Sequence, residues 1–250
     1  MSGHSKWSTI KHRKGAADAR RGKLFTKLAR AITVAAREGG ADLESNFALR
    51  LAVDKAKGAN MPKDNIARAI DRGTGAGKGG VLEHIVYEGY GPHGTAVLIS
   101  TVTDNRNRTV GEVRNLFSRH GCSLGEAGSV AWQFNQRGVL TVEACAADPD
   151  EVALLAIDAG AIDVDTDDDD VTIYTEVSDF QRVKEQMGEA GVEFARGELA
   201  MIPAVELALD PKPTLQVMRF LDALEELDDV DNVWSNVSIS TAVAAEFAAA

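Results

Sequence analysis

The sequence predicts an α+β chain in which a three-helix N-terminal domain is followed by two α/β (ferredoxin-like) domains, the third inserted into the second. Three observations predict it. The apolar period changes from that of helices to that of strands across Gly73-Thr-Gly-Ala-Gly-Lys-Gly-Gly80, a stretch with the composition of a flexible linker. The charge changes sign at the same place, with 17 Lys and Arg against 7 Asp and Glu in residues 1–80 and 10 against 31 in residues 81–250. The strand–strand–helix–strand signal over 81–135 also stays incomplete until a helix and strand at 210–240 are added. The expected units are therefore 1–80, 81–135 with 210–240, the insert 136–209, and a tail 241–250.

Residues 1–15 carry Lys6, Lys11, Arg13 and Lys14 without periodic apolar positions, and read as a mobile basic arm with Trp7 as an isolated aromatic. From Ala16, Phe25, Leu28, Ala29, Ile32 and Ala36 recur at helical spacing until Gly39-Gly40 stops the pattern. A second helix is expected over about 44–59. A third is expected from Pro62, suited to a first turn, to Arg72, with Gly73 as its terminal cap.

Beyond the linker, Leu82–Tyr90 and Thr95–Thr103 are rich in Val, Ile, Thr and Tyr and are joined by Gly89-Tyr-Gly-Pro-His-Gly94, which predicts a hairpin. A helix over about 106–120 and a strand near Val130–Phe134 follow. The middle unit reads as a strand at Val139–Ala144, a helix at Pro149–Ala159, a strand at Val171–Thr175, a helix at Ser178–Ala190 and a strand ending in Val205, Leu207 and Leu209, in βαββαβ-like order. Pro211–Leu227 predicts a helix and Asn232–Ser240 a strand, while the Ala-rich end, Thr241–Ala250, has no pattern to place it and reads as frayed.

The whole chain of 250 residues has a net charge of −11 and contains no apolar run long enough to span a membrane, nor a signal-peptide segment at its start. Cys122 and Cys145 are too few for a disulfide framework and lack the spacing of a zinc or redox site, so a reducing cytoplasm is expected. The +10 of the first 80 residues marks an end suited to a polyanion, with acidic domains that keep the rest from indiscriminate adhesion.

On the first helix Arg20, Lys23, Lys27, Arg30 and Arg37 share one arc opposite the apolar stripe, with Arg21 beside them. A solvated face is the usual meaning of such a stripe. Asp18 is, however, the only acid among residues 1–37, so pairing within the helix does not account for it. Together with the arm, the stripe has the pattern that displaces counterions from nucleic-acid phosphates. At Asp104-Asn-Arg-Asn-Arg-Thr109, a strand gives way to a helix whose free N–H groups, with Arg106 and Arg108, suit an anion or RNA phosphate. The same letters equally describe a capped helix with two solvated arginines.

Other matches fail on context. Gly75-x-Gly77-x-x-Gly80 follows a helix and precedes a strand, the reverse of a dinucleotide site. Asp163-Val-Asp-Thr-Asp-Asp-Asp-Asp170 lacks the Gly and Glu of a calcium loop and reads as a solvated acidic turn. No histidine pairing, nucleophile motif, metal or cofactor set emerges, so the chain is expected to be no enzyme. Glu225, Glu226, Asp228 and Asp229 crowd a helix end where the macrodipole disfavours anions, and read either as exposed at little cost or as a face for a basic partner.

Gly3-His-Ser-Lys-Trp7, Ile10-Lys-His-Arg-Lys14, Ala35-Ala-Arg-Glu-Gly39 and Asn60-Met-Pro-Lys-Asp-Asn-Ile66 resemble the signature of the YebC family. So do Tyr87-Glu-Gly-Tyr-Gly-Pro92, Thr103-Asp-Asn-Arg-Asn-Arg-Thr109, Gly128-Ser-Val-Ala-Trp132 and Leu221-Asp-Ala-Leu-Glu-Glu-Leu-Asp-Asp229. The departures are Asn46-Phe47, where the family has Asn-Pro, and Gly125-Glu-Ala-Gly128, where it is richer in glycine. The resemblance implies the same three domains. It also implies a regulator of gene expression in the bacterial cytoplasm, with relatives that include a mitochondrial translational activator.

The expected function is a non-enzymatic, DNA-binding transcriptional regulator that uses the arm and first helix, its acidic domains meeting another protein or a second copy. The alternative is a ribosome-associated, RNA-binding translation factor. A third reading, an enzyme for a phosphorylated ligand held by Arg106 and Arg108, lacks an acid, base or nucleophile set.

Overall fold

The structure is a computed structural model that describes Trp7 and residues 18–75, 82–143, 148–166 and 170–249. Helices α1 (Asp18–Gly39), α2 (Phe47–Gly58) and α3 (Lys63–Gly73) form a bundle around Leu28, Ile32, Leu49, Val53 and Ile66. The second helix starts three residues later than expected, because Asp42 accepts from the Glu44 N–H and the Ser45 hydroxyl and holds 42–45 in a turn. Asn46 then caps α2: its Oδ1 accepts from the Leu49 N–H at 3.0 Å, while its amide donates to the Ala35 and Gly40 carbonyls. The capping is therefore done by the asparagine, and a proline after it is not needed. Gly73 ends α3 against α1, where a Cβ would stand 2.5 Å from the Thr33 carbonyl oxygen. The bundle is tied there by Thr33, whose hydroxyl donates to the Ala69 carbonyl at 3.0 Å.

Strands β1 (Glu83–Tyr90), β2 (Ala96–Thr103), β3 (Ser123–Leu124) and β8 (Val230–Ser235) form the first sheet, which is antiparallel in the order β3-β1-β2-β8. The expected hairpin is present, with Tyr87 opposite Ile99 and a tight turn at Pro92–Gly94 where His93 and Gly94 take positive φ. Helices α4 (Arg106–Arg119) and α7 (Pro211–Glu225) cover one face and bury Val97, Ile99, Val113, Phe117, Val217, Phe220 and Leu221. Phe117 and Phe220 meet edge to face at 5.0 Å.

The expected strand at Val130–Phe134 is instead a 3-10 turn at Ala131–Gln133. The cause is Glu88, whose buried carboxylate accepts from the N–H groups of Gly128, Val130 and Ala131 at 2.7–2.9 Å and takes them out of any ladder. The chain then runs straight into β4 (Phe134–Glu143), one long strand that carries the apolar alternation expected from Val139.

With β5 (Asp163–Thr166), β6 (Asp170–Thr175) and β7 (Arg196–Pro203), β4 builds the second sheet, in the order β5-β6-β4-β7. With α5 (Pro149–Ala159) and α6 (Phe180–Glu189) on one face it follows the βαββαβ order around Leu140, Ile173, Phe180 and Met187. Asp148 caps α5 and Gly160 closes it in the left-handed conformation. The acidic run is not a solvated turn throughout: Asp163–Thr166 is β5, paired with β6, and Asp170 is buried at the start of β6, while residues 167–169 lie outside the described residues. The strand expected to end at Leu209 ends at Pro203; Leu207 makes only a single parallel bridge to Val237, with Val205 exposed.

The tail is not frayed. Residues Thr241–Ala249 form α8, which buries Val243 and Phe247 in the first sheet's core, a placement no local pattern encodes. No helix among the described residues is long and apolar enough to cross a membrane.

Candidate nucleic-acid interface

The middle of the expected cationic stripe, Lys23, Lys27 and Arg30, meets the protein itself and is not left to solvent alone. Lys23 lies 3.8 Å from Glu226 and 3.7 Å from Asp228, and Lys27 donates to the Glu225 carbonyl oxygen. Arg30 donates to Asp229 at 2.7 Å and to the Asp228 carbonyl at 3.1 Å. This corrects the view of α1 as a helix with one packed and one wet face: its cations dock on the acidic end of α7 and the turn after it. Helical periodicity names the residues that share a face, but not what that face meets. Arg21 and Arg37 are exposed. Lys6, Lys11, Arg13, Lys14 and the Arg20 side chain lie outside the described residues, as does the linker from residue 76.

The crowded acids of Glu225–Asp229 thereby acquire their reason. Cations from α1 stand at the carbonyl end of α7, where the macrodipole favours them and where the acids alone are misplaced. Asp229 is the centre of the cluster, its side chain 2% exposed. Besides Arg30 on Oδ1, its Oδ2 accepts from Arg108 (2.7 Å), the Thr109 hydroxyl (2.7 Å) and the Thr103 hydroxyl (3.1 Å). Burial alone would raise the Asp229 pKa, but the donors Arg108, Thr109 and Thr103 outweigh it and hold the carboxyl below its ordinary range.

Trp7 is not an isolated aromatic. It is 4% exposed, lies in the core of the first sheet 5.7 Å from the Phe247 ring, and donates from Nε1 to Glu225 at 3.0 Å. Its partners lie more than 200 positions away in sequence, so composition around Trp7 carries no sign of them. The second helix docks likewise: Phe47 packs on Phe180, Lys184 pairs with Asp54 at 3.2 Å, and Lys55 lies between Asn232 and Glu198. Burial would lower the Lys55 pKa, but Glu198, Asp231 and Glu225 more than offset it.

At the strand-to-helix junction Asn105 is the cap, its Oδ1 accepting from the Arg108 N–H at 3.1 Å. Arg108 is spent on Asp104 at 3.0 Å and on Asp229, which corrects its expected role as a free anion fork; its guanidinium holds the junction together. Arg106 is exposed on the first turn. Arg37 reaches the Leu82 carbonyl at 3.5 Å, and the next residue, Glu83, pairs with Thr103, so Arg37 belongs to the same end of the sheet as α4's first turn. Two exposed arginines and the N-terminal turn of a 14-residue helix thus lie at this end of the first sheet. Among the described residues no group of three or more His, Cys, Asp or Glu side chains is placed to hold a metal.

The sequence marks Asp229 within its acidic cluster and Thr109 at the strand-to-helix junction, without a sign that the two meet; as site residues Thr103 and Glu88 appear only in the resemblance, as motif letters without a role.

Comparison with known proteins agrees with this architecture. Residues 5–76 match the model of the TACO1/YebC protein N-terminal domain, and residues 82–237 that of the TACO1/YebC second and third domain. A protein of Rubrobacter xylanophilus named "Probable transcriptional regulatory protein" is 55% identical over 99% of this chain and 100% of its own length. One of the same name from Trichlorobacter lovleyi is 52% identical over 96% of this chain and 97% of its own. The crystal structure of a conserved hypothetical protein from Aquifex aeolicus superposes with a TM-score of 0.82 at 42% identity, covering 89% of this chain and 92% of that one.

Proposed function

The chain belongs to the TACO1/YebC family, and from that premise we propose that it is a cytoplasmic regulator of transcription that works by binding DNA, not by catalysis. The observation that carries the reading is that Arg37, Arg106 and the N-terminal turn of α4 lie at the same end of the first sheet, in a chain whose first 80 residues hold a charge of +10. Phosphates are the anions such a surface takes up: guanidinium forks and helix-start N–H groups both bind their oxygens. These contacts position a backbone and do not read base edges, so the affinity is electrostatic and falls steeply with salt. The names carried by relatives at 55% and 52% identity supply the regulatory role.

The test is sedimentation of the tagged protein from lysate at moderate salt, run in parallel after DNase and after RNase. A fast-sedimenting pool lost only to DNase is expected. Comigration with ribosomes that survives DNase and collapses with RNase would replace this reading with that of a translation factor.

A further inference from the structure

The α1 face that carries Lys23, Lys27 and Arg30 is occupied by the acidic end of α7 and the turn after it. We infer that its docking on Glu225–Asp229 is the closed state of an intramolecular latch, in which carboxylate and carbonyl oxygens occupy the positions that nucleic-acid phosphates take when the helical domain is released. The inference rests on the nucleic-acid reading above and adds to it a second phosphate-binding face, on α1, together with how that face is regulated.

Three features of the contact make it exchangeable. The acceptors are chemically those of a phosphate backbone: Arg30 holds one carboxylate and one carbonyl oxygen, and Lys27 another carbonyl. A guanidinium binds carboxylate and phosphate in the same geometry. Second, release leaves the acidic side satisfied from within its own domain, since Asp229 Oδ2 keeps Arg108, Thr109 and Thr103 and only Oδ1 gives up its donor. The Lys23 pairs, at 3.7 and 3.8 Å between half-exposed side chains, hold little. Third, the three helices carry their own core, so they can move as one body without unfolding.

The rest of the boundary is also rich in charge pairs, Lys55–Glu198 and Lys184–Asp54 among them, the kind of interface across which domains move. Trp7 in the host core and Phe47 on Phe180 set the closed state as the resting one. A polyanion must compete against them, which disfavours weak, incidental binding.

The test uses the full-length Lys23→Cys, Asp228→Cys variant in a chain whose Cys122 and Cys145 are serine. Both substituted positions are half-exposed or more, and the pair leaves the net charge unchanged. A reducible bis-maleimide linker joins the two thiols, and a fluorescein-labelled DNA duplex and an RNA hairpin are titrated by anisotropy against linked, unlinked and wild-type protein. Linking is expected to weaken binding at least tenfold, and reduction of the linker to restore it. Linked protein that binds as tightly as unlinked overturns the latch while leaving the nucleic-acid reading intact. Wild type that binds neither probe overturns that reading and the latch with it. A second measurement places spin labels at the same two positions; saturating duplex is expected to lengthen their separation, and an unchanged distance overturns the latch.

Discussion

Arg30 and Asp229, 199 positions apart, meet at 2.7 Å, and the same carboxylate is held from its other oxygen by Arg108 at 2.7 Å. One buried side chain thus ties the helical domain to the start of β8 and to the first turn of α4. Asp229→Asn keeps the shape but takes the buried countercharge from Arg30 and leaves Arg108 with Asp104 alone. Because both arginines are partly hydrated, the expected loss is about 2–3 kcal/mol, at the lower end for a broken buried pair. Urea unfolding at neutral pH measures it. Asp228→Asn, at an exposed position, is expected to cost under about 0.5 kcal/mol in the same assay; equal losses would show that burial at 229 contributes nothing.

Acid should unfold this protein through two named carboxylates. Burial raises the Glu88 pKa, but the N–H groups of Gly128, Val130 and Ala131 outweigh it, and both Glu88 and Asp229 lie below their ordinary values. For a carboxylate held low in the folded state, the stabilisation is complete above its unfolded-state pKa of about 4 and is lost as pH falls through the folded value. The urea midpoint is therefore expected to be level from neutrality to about pH 5 and to drop below about pH 4. Glu88→Gln should be less stable at neutral pH and show a shallower drop. A parallel curve would mean that Glu88 titrates alike in both states.

Two glycines in helices should respond in opposite directions to alanine. At Gly73 a Cβ would sit 2.5 Å from the Thr33 carbonyl and 2.7 Å from the Ala36 methyl, backbone and short side chain that cannot swing aside. Gly73→Ala is expected to lower stability by about 1–3 kcal/mol despite better helix propensity. Gly22 in α1 meets nothing within 4 Å, so Gly22→Ala should raise helix stability by up to about 1 kcal/mol. Thermal unfolding of the two variants decides it.

For the phosphate surface, Arg37→Ala with Arg106→Ala should leave the fold intact and reduce the slope of log affinity against log salt by about 2, roughly one for each phosphate that is no longer neutralised. Anisotropy titrations of a DNA duplex over a series of KCl concentrations read the slope. An unchanged slope would mean that this end of the sheet is only wet surface.

Much of the fold is legible because it is written locally. The Pro62 and Gly73 boundaries of α3, the Pro92–Gly94 hairpin, the Pro149–Gly160 frame of α5 and the helix after Asp104 each depend on residues within a turn of one another. The departures share one origin. Val130–Phe134 reads as a strand until Glu88, some 40 positions back, takes its N–H groups. The Ala-rich end reads as frayed until Phe247 finds Trp7. Of the candidate site, Arg37 and Arg106 keep the exposure expected of them, while Lys23, Lys27 and Arg30 share the expected face and meet acids where solvent is expected.

Read alone, then, the chain specifies an inventory: most of the segments that form helices and strands, a basic end before an acidic remainder, and the cations that share a helix face. Periodicity, capping and charge counts act over a few residues or over whole segments, so a single sequence reveals them. It took the folded molecule to make the basic face of α1 and the acidic end of α7 each other's partners, and to place Trp7 in a core. Electrostatic attraction and apolar burial depend on distance in space, and sequence does not record that distance between residues some 200 positions apart.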